Sequence, residues 1–134
     1  MKKDMQSRYL ELQMLSQQIQ QIQKQIEMVE TQMAELDVIG QSIDDFTKVK
    51  LGTEILVPLT NGVFAKAELK DNKNLIVNVG AGTAVNKPAE DTKKMVDKQT
   101  SELMNVREEM LGQLQQYVAK ARALQEEVEN LGAE

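Results

Sequence analysis

Cysteine and histidine are absent from the 134 residues of this chain. Their absence removes thiolate nucleophiles, imidazole acids and bases, and most ligands of zinc or haem. We therefore predict that the protein is not an enzyme and that it uses no metal or other cofactor. Because no disulfide can form, nothing in the composition favours an oxidising compartment, and the cytoplasm is the expected location.

Aromatic residues are scarce, and tryptophan is absent. Phe, Tyr and Trp supply much of the buried area of compact cores, yet they make up only 3% of this chain, whereas 41% of its residues are hydrophobic. We therefore expect the apolar surface to lie in narrow seams. The length predicts one domain over residues 1–134.

The chain also lacks an excess of positive charge and any long apolar run. Its net charge is −5, which argues against a nucleic-acid partner because such binding depends largely on Lys and Arg neutralising phosphates. No apolar run approaches the roughly 20 residues that span a bilayer. The charged start, Met1 to Asp4, does not resemble a secretion signal. We expect neither nucleic acid nor membrane as a partner.

The first part of the chain has one helical pattern. Apolar residues recur at alternating steps of three and four, which is the heptad repeat of a coiled coil. They are Leu12, Leu15, Ile19, Ile22, Ile26, Val29, Met33 and Leu36. The intervening positions are nearly all polar, many of them Gln, and are assigned to the solvent face. The pattern predicts a helix over residues 1–48 that ends or frays between Gly40 and Lys50.

Residues 52–87 change to a β pattern. Asn61-Gly62 lies between two β-prone runs and predicts a hairpin with a type I′ turn, and Gly80-Ala81-Gly82 predicts a second hairpin. Apolar residues occupy both faces, so the alternation does not choose a register. We favour an oligomerisation platform over a small intramolecular sandwich, because the strand edges would otherwise be exposed. The platform residues are Ile55, Val57, Leu59, Asn61, Gly62, Val63, Phe64, Leu69, Leu75, Ile76, Val77, Val79, Gly80, Gly82 and Val85.

A second long helix is predicted over residues 88–134, with Pro88 at its first position and acidic residues in its first turn. Its expected seam contains consecutive steps of four around Met110, which predict a local stutter. The seam residues are Val96, Gln99, Leu103, Val106, Met110, Leu114, Tyr117, Ala121, Leu124, Val128 and Leu131. The fold class is therefore α+β: a long antiparallel two-helix coiled coil with two central β-hairpins.

Two other signals carry no site. The Gly80-Ala81-Gly82 run has the first two glycines of a dinucleotide-binding loop, but Val85 stands at the third position and no βαβ unit surrounds it. Carboxylate clusters such as Glu126-Glu127 are assigned to the solvated face of a helix.

The region near the two termini offers more apolar surface than two paired helices can cover. Exposed Met and Leu make an adaptable binding surface, although frayed helix ends would show the same composition. We interpret these residues as tips that bind other polypeptides. They are Met5, Tyr9, Leu10, Leu12, Met14, Leu124, Val128 and Leu131.

The order helix, two hairpins, helix, together with the segment from Val57 to Gly82, resembles the alpha class of the prefoldin family. The resemblance implies a heterohexamer of two alpha and four beta subunits whose hairpins close into a β-barrel platform. It also implies an ATP-independent holdase that binds unfolded or nascent polypeptides and delivers them to a group II chaperonin. The main rival interpretation is a structural coiled-coil adaptor that docks one dedicated partner through its hairpins.

Overall fold

The computed structural model describes residues 2–133 of the chain. The element order is α1 (Lys2–Lys48), β1 (Glu54–Thr60), β2 (Val63–Glu68), β3 (Asn74–Gly80), β4 (Thr83–Pro88) and α2 (Ala89–Ala133). This order confirms the predicted α+β class with two long helices and two hairpins. Pro88 is the last residue of β4 and directly precedes α2, so it is not the first helical residue.

The chain has two compact parts. Met1–Met33 with Glu102–Glu134 form one part, here called the helical part, and Ala34–Ser101 form the other, here called the hairpin part. The division falls within both helices, each of which is continuous.

In the helical part, α1 and α2 lie antiparallel. Arg8 forms an ion pair with Glu127, and a groove further along is bordered by Ile19 and Ala121, so residue numbers rise on α1 as they fall on α2. The buried apolar residues of this part all belong to the predicted seams. They are Leu15, Ile22, Ile26, Val29, Leu124 and Val128.

The seam of α2 differs from the prediction at two positions. Gln99 and Val106 are exposed, whereas Thr100 and Arg107 are half-buried. With these replacements the steps along α2 alternate between four and three without interruption, so the predicted stutter near Met110 is wrong. Thr100 satisfies its hydroxyl by donating to the carbonyl oxygen of Val96 at 3.0 Å. Arg107 places its aliphatic stem on the seam.

The hairpin part has a small core built from both helices. Ile43, Ala89 and Val96 are buried together, and Leu36 and Leu75 pack against them. The seam of α1 thus continues past Gly40, where the sequence pattern had weakened, and the helix ends at Lys48. Leu75 attaches β3 to this core, so one face of the second hairpin is directed toward the helices.

The two hairpins repeat the same register at an offset of 20 residues. Glu54 pairs with Glu68 in the first hairpin, and the equivalent pair in the second is Asn74 with Pro88. The register shifts at Leu59 in β1 and at Val79 in β3, so each hairpin has a β-bulge at the same place. Each hairpin forms its own two-stranded antiparallel sheet.

The turns of the hairpins differ. Gly62 has a φ of 79°, but among the described non-glycine residues only Ala81 has a positive φ, of 52°. The type I′ turn predicted at Asn61-Gly62 is therefore wrong, because that turn needs a positive φ at both central residues. Positive φ at both positions occurs instead at Ala81 and Gly82, where φ is 52° and 72°.

A polar linker joins the hairpins. One carboxylate oxygen of Asp71 accepts hydrogen bonds from the backbone N–H of Lys73 at 2.7 Å and of Asn74 at 3.0 Å. These bonds, above all that from Lys73, hold the pKa of Asp71 below its ordinary value. Asn72 donates to the carbonyl oxygen of Val49 at 2.9 Å, which fixes the linker to the segment that follows α1.

Candidate functional site

The predicted tip residues divide into two groups. Tyr9, Leu10 and Met14 on α1 are 55%, 60% and 61% exposed. These three side chains, here called the tip patch, lie within six residues of one another. On a helix, residues three or four apart share a face, so Leu10 and Met14 form one apolar strip.

The other five predicted tip residues lie on the seam between α1 and α2. Leu124 and Val128 are 8% and 7% exposed, and Met5, Leu12 and Leu131 are half-buried. In this conformation their apolar surface is largely used in helix pairing. The surface free for another polypeptide is therefore narrower than the sequence predicted, and it belongs mainly to α1.

A groove of about 530 Å³ runs beside the tip patch in the helical part. Sequence reasoning did not find it. Ser16 and Ala121 lie on its walls, and their small side chains leave space that larger residues would fill. Val128 and Tyr9, which is itself part of the tip patch, provide apolar lining. The only sequence signal for this groove is that Ser16 and Ala121, both small, lie opposite each other when the two helices pair antiparallel.

Charged side chains border the tip patch. Arg8 forms an ion pair with Glu127, and both side chains are more than one third exposed. Ion pairs of this kind contribute little to stability because water screens them. The pair joins α1 to α2 and shows which residues of the two helices lie opposite each other at this end.

The strand register shows which residues share each face of the two hairpins. Ile55, Val57, Ala65 and Ala67 share one face of the first hairpin, and Leu75, Val77, Val85 and Lys87 occupy the equivalent face of the second. All of these residues are half-buried except Val57, which is 40% exposed. Since Leu75 packs on the helix core, we call these the inner faces.

The outer faces and the tips of the hairpins hold the exposed platform residues. Leu59 is 67% exposed, and Ile76 is 73% exposed, which is the highest value among the large apolar side chains described. Val63, Phe64 and Val79 are exposed by 50%, 55% and 52%. Leu69 is buried instead; its backbone N–H donates to the carbonyl oxygen of Thr53 and closes the base of the first hairpin.

Within residues 2–133, no group of three or more Asp, Glu, Cys or His side chains is placed to hold a metal ion. Neither helix, over that same range, has a stretch long and apolar enough to cross a bilayer.

The architecture defines the class of protein. The chain superposes on a subunit of the filamentous prefoldin from Methanocaldococcus jannaschii with a TM-score of 0.79, covering 89% of this chain and 98% of that one. The sequence identity is 17%, so this likeness shows the fold alone: the fold is that of a prefoldin subunit.

Sequence comparison then shows the family. The profile of the prefoldin subunit family matches residues 15–134. The prefoldin alpha subunit of Methanobrevibacter smithii is 33% identical over 75% of this chain and 68% of its own length. That of Methanococcus aeolicus is 29% identical over 96% of this chain and 88% of its own length. The chain belongs to the prefoldin subunit family, in its alpha class.

Proposed function

We propose that this chain is a subunit of an ATP-independent holdase in the cytoplasm. It forms one prefoldin-like domain that joins beta-class subunits in a heterohexamer of two alpha and four beta chains. The tip patch binds unfolded or nascent polypeptides and prevents their aggregation, and the complex delivers them to a group II chaperonin. The family membership supports the chaperone role, and the exposed residues of this chain support the way it is performed.

The observation that carries the proposal is the exposure of Tyr9, Leu10 and Met14 on a helix whose other surface residues are mostly polar. Met and Leu side chains adapt to many shapes, and Tyr combines an apolar ring with a polar hydroxyl. Such a surface accepts apolar segments of unrelated sequence. One patch of three side chains binds weakly, and several patches on one assembly raise the overall affinity through effective concentration.

The hairpins support assembly with other subunits. Leu59, Phe64 and Ile76 remain more than half exposed in the single chain, and the strands have unpaired outer edges. Exposed edges and apolar patches promote uncontrolled association unless another chain covers them. Partner subunits that extend the sheets and cover these side chains satisfy both needs.

The experiment compares two double variants in the complex formed with beta-class subunits. Leu10→Ser with Met14→Ser removes most of the tip patch, whereas Met28→Ser with Val38→Ser removes two apolar side chains that are equally exposed, at 64% each, elsewhere on α1. Met28 lies two heptads from Met14 and so occupies the same heptad position. Light scattering of a denatured client then measures how much complex is needed to suppress aggregation.

We expect the tip variant to require about threefold more complex for half suppression, which corresponds to losing ~0.7 kcal/mol of apolar contact. The control variant should behave as the original complex. If both variants raised the amount of complex needed for half suppression equally, the tip patch would have no special role in binding the client. A complex that suppresses no aggregation, yet binds one protein stoichiometrically through its hairpins, would favour the structural adaptor instead.

A further inference from the structure

The side chains that oxidants attack most readily are distributed unevenly along this chain. Cysteine and tryptophan are absent, and the sequence has eight Met. Apart from Met1, which lies outside the described residues, every Met belongs to α1 or α2. Residues 52–87, which hold the predicted platform, contain none. An oxidant therefore meets its thioether targets on the helices and leaves the platform chemically unchanged.

The thioethers on the helices differ in exposure. Met14 and Met28 are 61% and 64% exposed, and Met104 is 42% exposed. The other described Met side chains are half-buried; Met5, for example, packs its terminal methyl group against Gly132 of α2. Oxidation requires the oxidant to reach a lone pair of the sulfur, so we expect Met14 and Met28 to react first.

These two exposed thioethers have different surroundings. They lie two heptads apart and therefore occupy the same heptad position of α1. One turn before Met14 stands Leu10, with which it forms the apolar strip of the tip patch. One turn before Met28 stands Lys24. The same chemical change would therefore alter an apolar surface at Met14 and an already polar surface at Met28.

A small groove beside Met14 gives an oxidant access and offers hydrogen-bond donors to the product. Its volume is about 190 Å³, and Glu11, Gln18 and Lys120 also border it. A sulfoxide oxygen accepts hydrogen bonds, and the Gln18 amide and the Lys120 ammonium group can donate them. A Met14 sulfoxide that directs its oxygen toward these donors no longer presents an apolar surface beside Leu10.

Oxidation would weaken the patch for a second physical reason. An apolar segment that covers the tip patch removes water from the side chains beneath it. A thioether loses little when water leaves, whereas a sulfoxide oxygen loses hydrogen bonds that the apolar segment cannot replace. The oxidised patch should therefore bind apolar segments less tightly, even though its shape changes little.

We propose that Met14 is a reversible oxidation site, at which peroxides convert the thioether to a sulfoxide and lower the affinity of the tip patch for other polypeptides. The inference rests on the proposed function of the tip patch and adds a means of regulating it. Assembly is insulated from the same oxidant because the platform has no Met or Cys.

The proposed step transfers one oxygen atom. A lone pair of the Met14 Sδ attacks one oxygen of hydrogen peroxide, the S–O bond forms and the O–O bond breaks. The proton on the transferred oxygen moves to the departing oxygen, which leaves as water. The sulfur loses two electrons and the peroxide gains them. Reversal uses a sulfoxide reductase and a dithiol, so that the sulfoxide oxygen leaves as water and the dithiol becomes a disulfide.

The first measurement locates the reactive sulfur. The full-length chain is treated with dilute hydrogen peroxide, and catalase ends the treatment. Peptide mass spectrometry then follows the gain of one oxygen atom at each Met over time. We expect Met14 and Met28 to react several-fold faster than the half-buried Met33 and Met110. Circular dichroism at 222 nm should be unchanged at doses that oxidise only the exposed pair.

The second measurement links that sulfur to client binding. Met14→Leu and Met28→Leu each keep an apolar side chain of similar volume and remove one exposed sulfur. Each chain is treated with peroxide, assembled with untreated beta-class subunits and compared with its own untreated sample in the light-scattering assay. The original chain and Met28→Leu should need about threefold more complex for half suppression after treatment. Met14→Leu should need no more than before treatment.

Reversibility is tested on the treated original chain. Methionine sulfoxide reductases for both sulfoxide epimers, supplied with a dithiol, should restore the amount of complex needed before treatment. Failure to restore it, although mass spectrometry shows that Met14 is again a thioether, would overturn the assignment of the loss to this residue.

Three other results would overturn the inference. Met14 could react no faster than Met33, Met14→Leu could lose as much suppression as Met28→Leu, or the treated chain could fail to assemble. An untreated complex that suppresses no aggregation would instead contradict the proposed holdase. The peptide map would then still decide whether Met14 is the reactive site, because it does not depend on client binding.

Discussion

The helix seams and the hairpins of this chain use apolar residues in opposite ways. Ile22, Ile26 and Val29 on α1 are each 7% exposed, whereas Leu59 and Ile76 in the strands are 67% and 73% exposed. The seam residues are thus covered within the chain. The strand residues are equally apolar but are left for another chain to cover.

Hydrophobicity alone therefore does not identify a core. A heptad seam presents its apolar residues in one direction, so two helices of the same chain cover each other. A two-stranded hairpin has two faces and two edges, and it is too thin to bury both faces by itself. The same composition therefore produces stability in one region and an interface in the other.

Shortening one side chain in each region tests whether both are covered within the chain. Ile26→Ala should cost about 3 kcal/mol of unfolding free energy, because it removes buried methyl groups from the seam and leaves a cavity. Leu59→Ala should change that free energy by less than about 0.5 kcal/mol, as surface substitutions usually do. Chemical denaturation followed by circular dichroism at 222 nm measures both. Similar losses for the two variants would show that Leu59 is part of a core within the chain.

The sequence predicted the first seam well because apolar residues recur on it without exception. The second seam was partly mispredicted because residue type misleads there. Thr100 and Arg107 are polar, yet both can cover a seam, the first by bonding its hydroxyl to the preceding turn and the second through its long stem. Whether Thr100 and Arg107 face the seam depends on their contacts with α1, and the sequence pattern of α2 alone does not give these contacts.

The hairpins were also predicted, but their faces were not. Ile55, Leu56 and Val57 are consecutive apolar residues, so the period of two is hidden, and only the contact of Leu75 with the helix core identifies the inner side. The exposure of the predicted tip residues was not uniform, and which of them bind a polypeptide stays a prediction. Leu124 and Val128 were predicted both as seam residues and as tip residues, and the structure buries them.

Two glycines test how the backbone of each region contributes to stability. Gly112 lies inside α2 with open space around the position of a Cβ atom, whereas Gly82 has a φ of 72° in the turn of the second hairpin. Gly112→Ala should stabilise the chain by about 1 kcal/mol through helix propensity. Gly82→Ala should destabilise the hairpin by about 1 kcal/mol through left-handed strain.

Thermal melting measures both glycine variants. The helical signal at 222 nm should melt at a higher temperature in Gly112→Ala. Gly82→Ala should lower the melting temperature of the hairpins, observed through amide resonances of β3 and β4. A stabilising effect of Gly82→Ala would show that this turn does not need its positive φ.

A smaller effect on stability is expected at Arg107, which lies on the seam of α2. The Nε of Arg107 is buried without a hydrogen-bond partner among the described residues, and such a donor reduces stability. Arg107→Lys keeps the charge and the stem but has no donor at that depth, so it should raise the unfolding free energy by about 0.5 kcal/mol. Chemical denaturation checks this value. A loss of stability instead would show that the guanidinium group makes a favourable contact.

The smallest effect concerns the linker that keeps the hairpins in place. The hydrogen bonds from Lys73 and Asn74 lower the pKa of Asp71, so the folded chain holds the carboxylate more strongly than the unfolded chain does. The contribution of Asp71 to stability is therefore present above the ordinary aspartate pKa of about 4 and is lost as the pH falls through the lowered folded value. The backbone amide resonances of Lys73 and Asn74 should titrate with a midpoint below pH ~4.

Asp71→Asn is the control, because its amide oxygen can accept the same hydrogen bonds but does not titrate in this range. In Asp71→Asn the chemical shifts of the Lys73 and Asn74 backbone amides should show no titration step below pH ~4. A midpoint at or above the ordinary aspartate value in the original chain would mean that the bonds from Lys73 and Asn74 do not favour the charged carboxylate. The linker would then be held mainly by the bond from Asn72 to Val49, and Asn72→Ala should disturb β3 more than any change at Asp71.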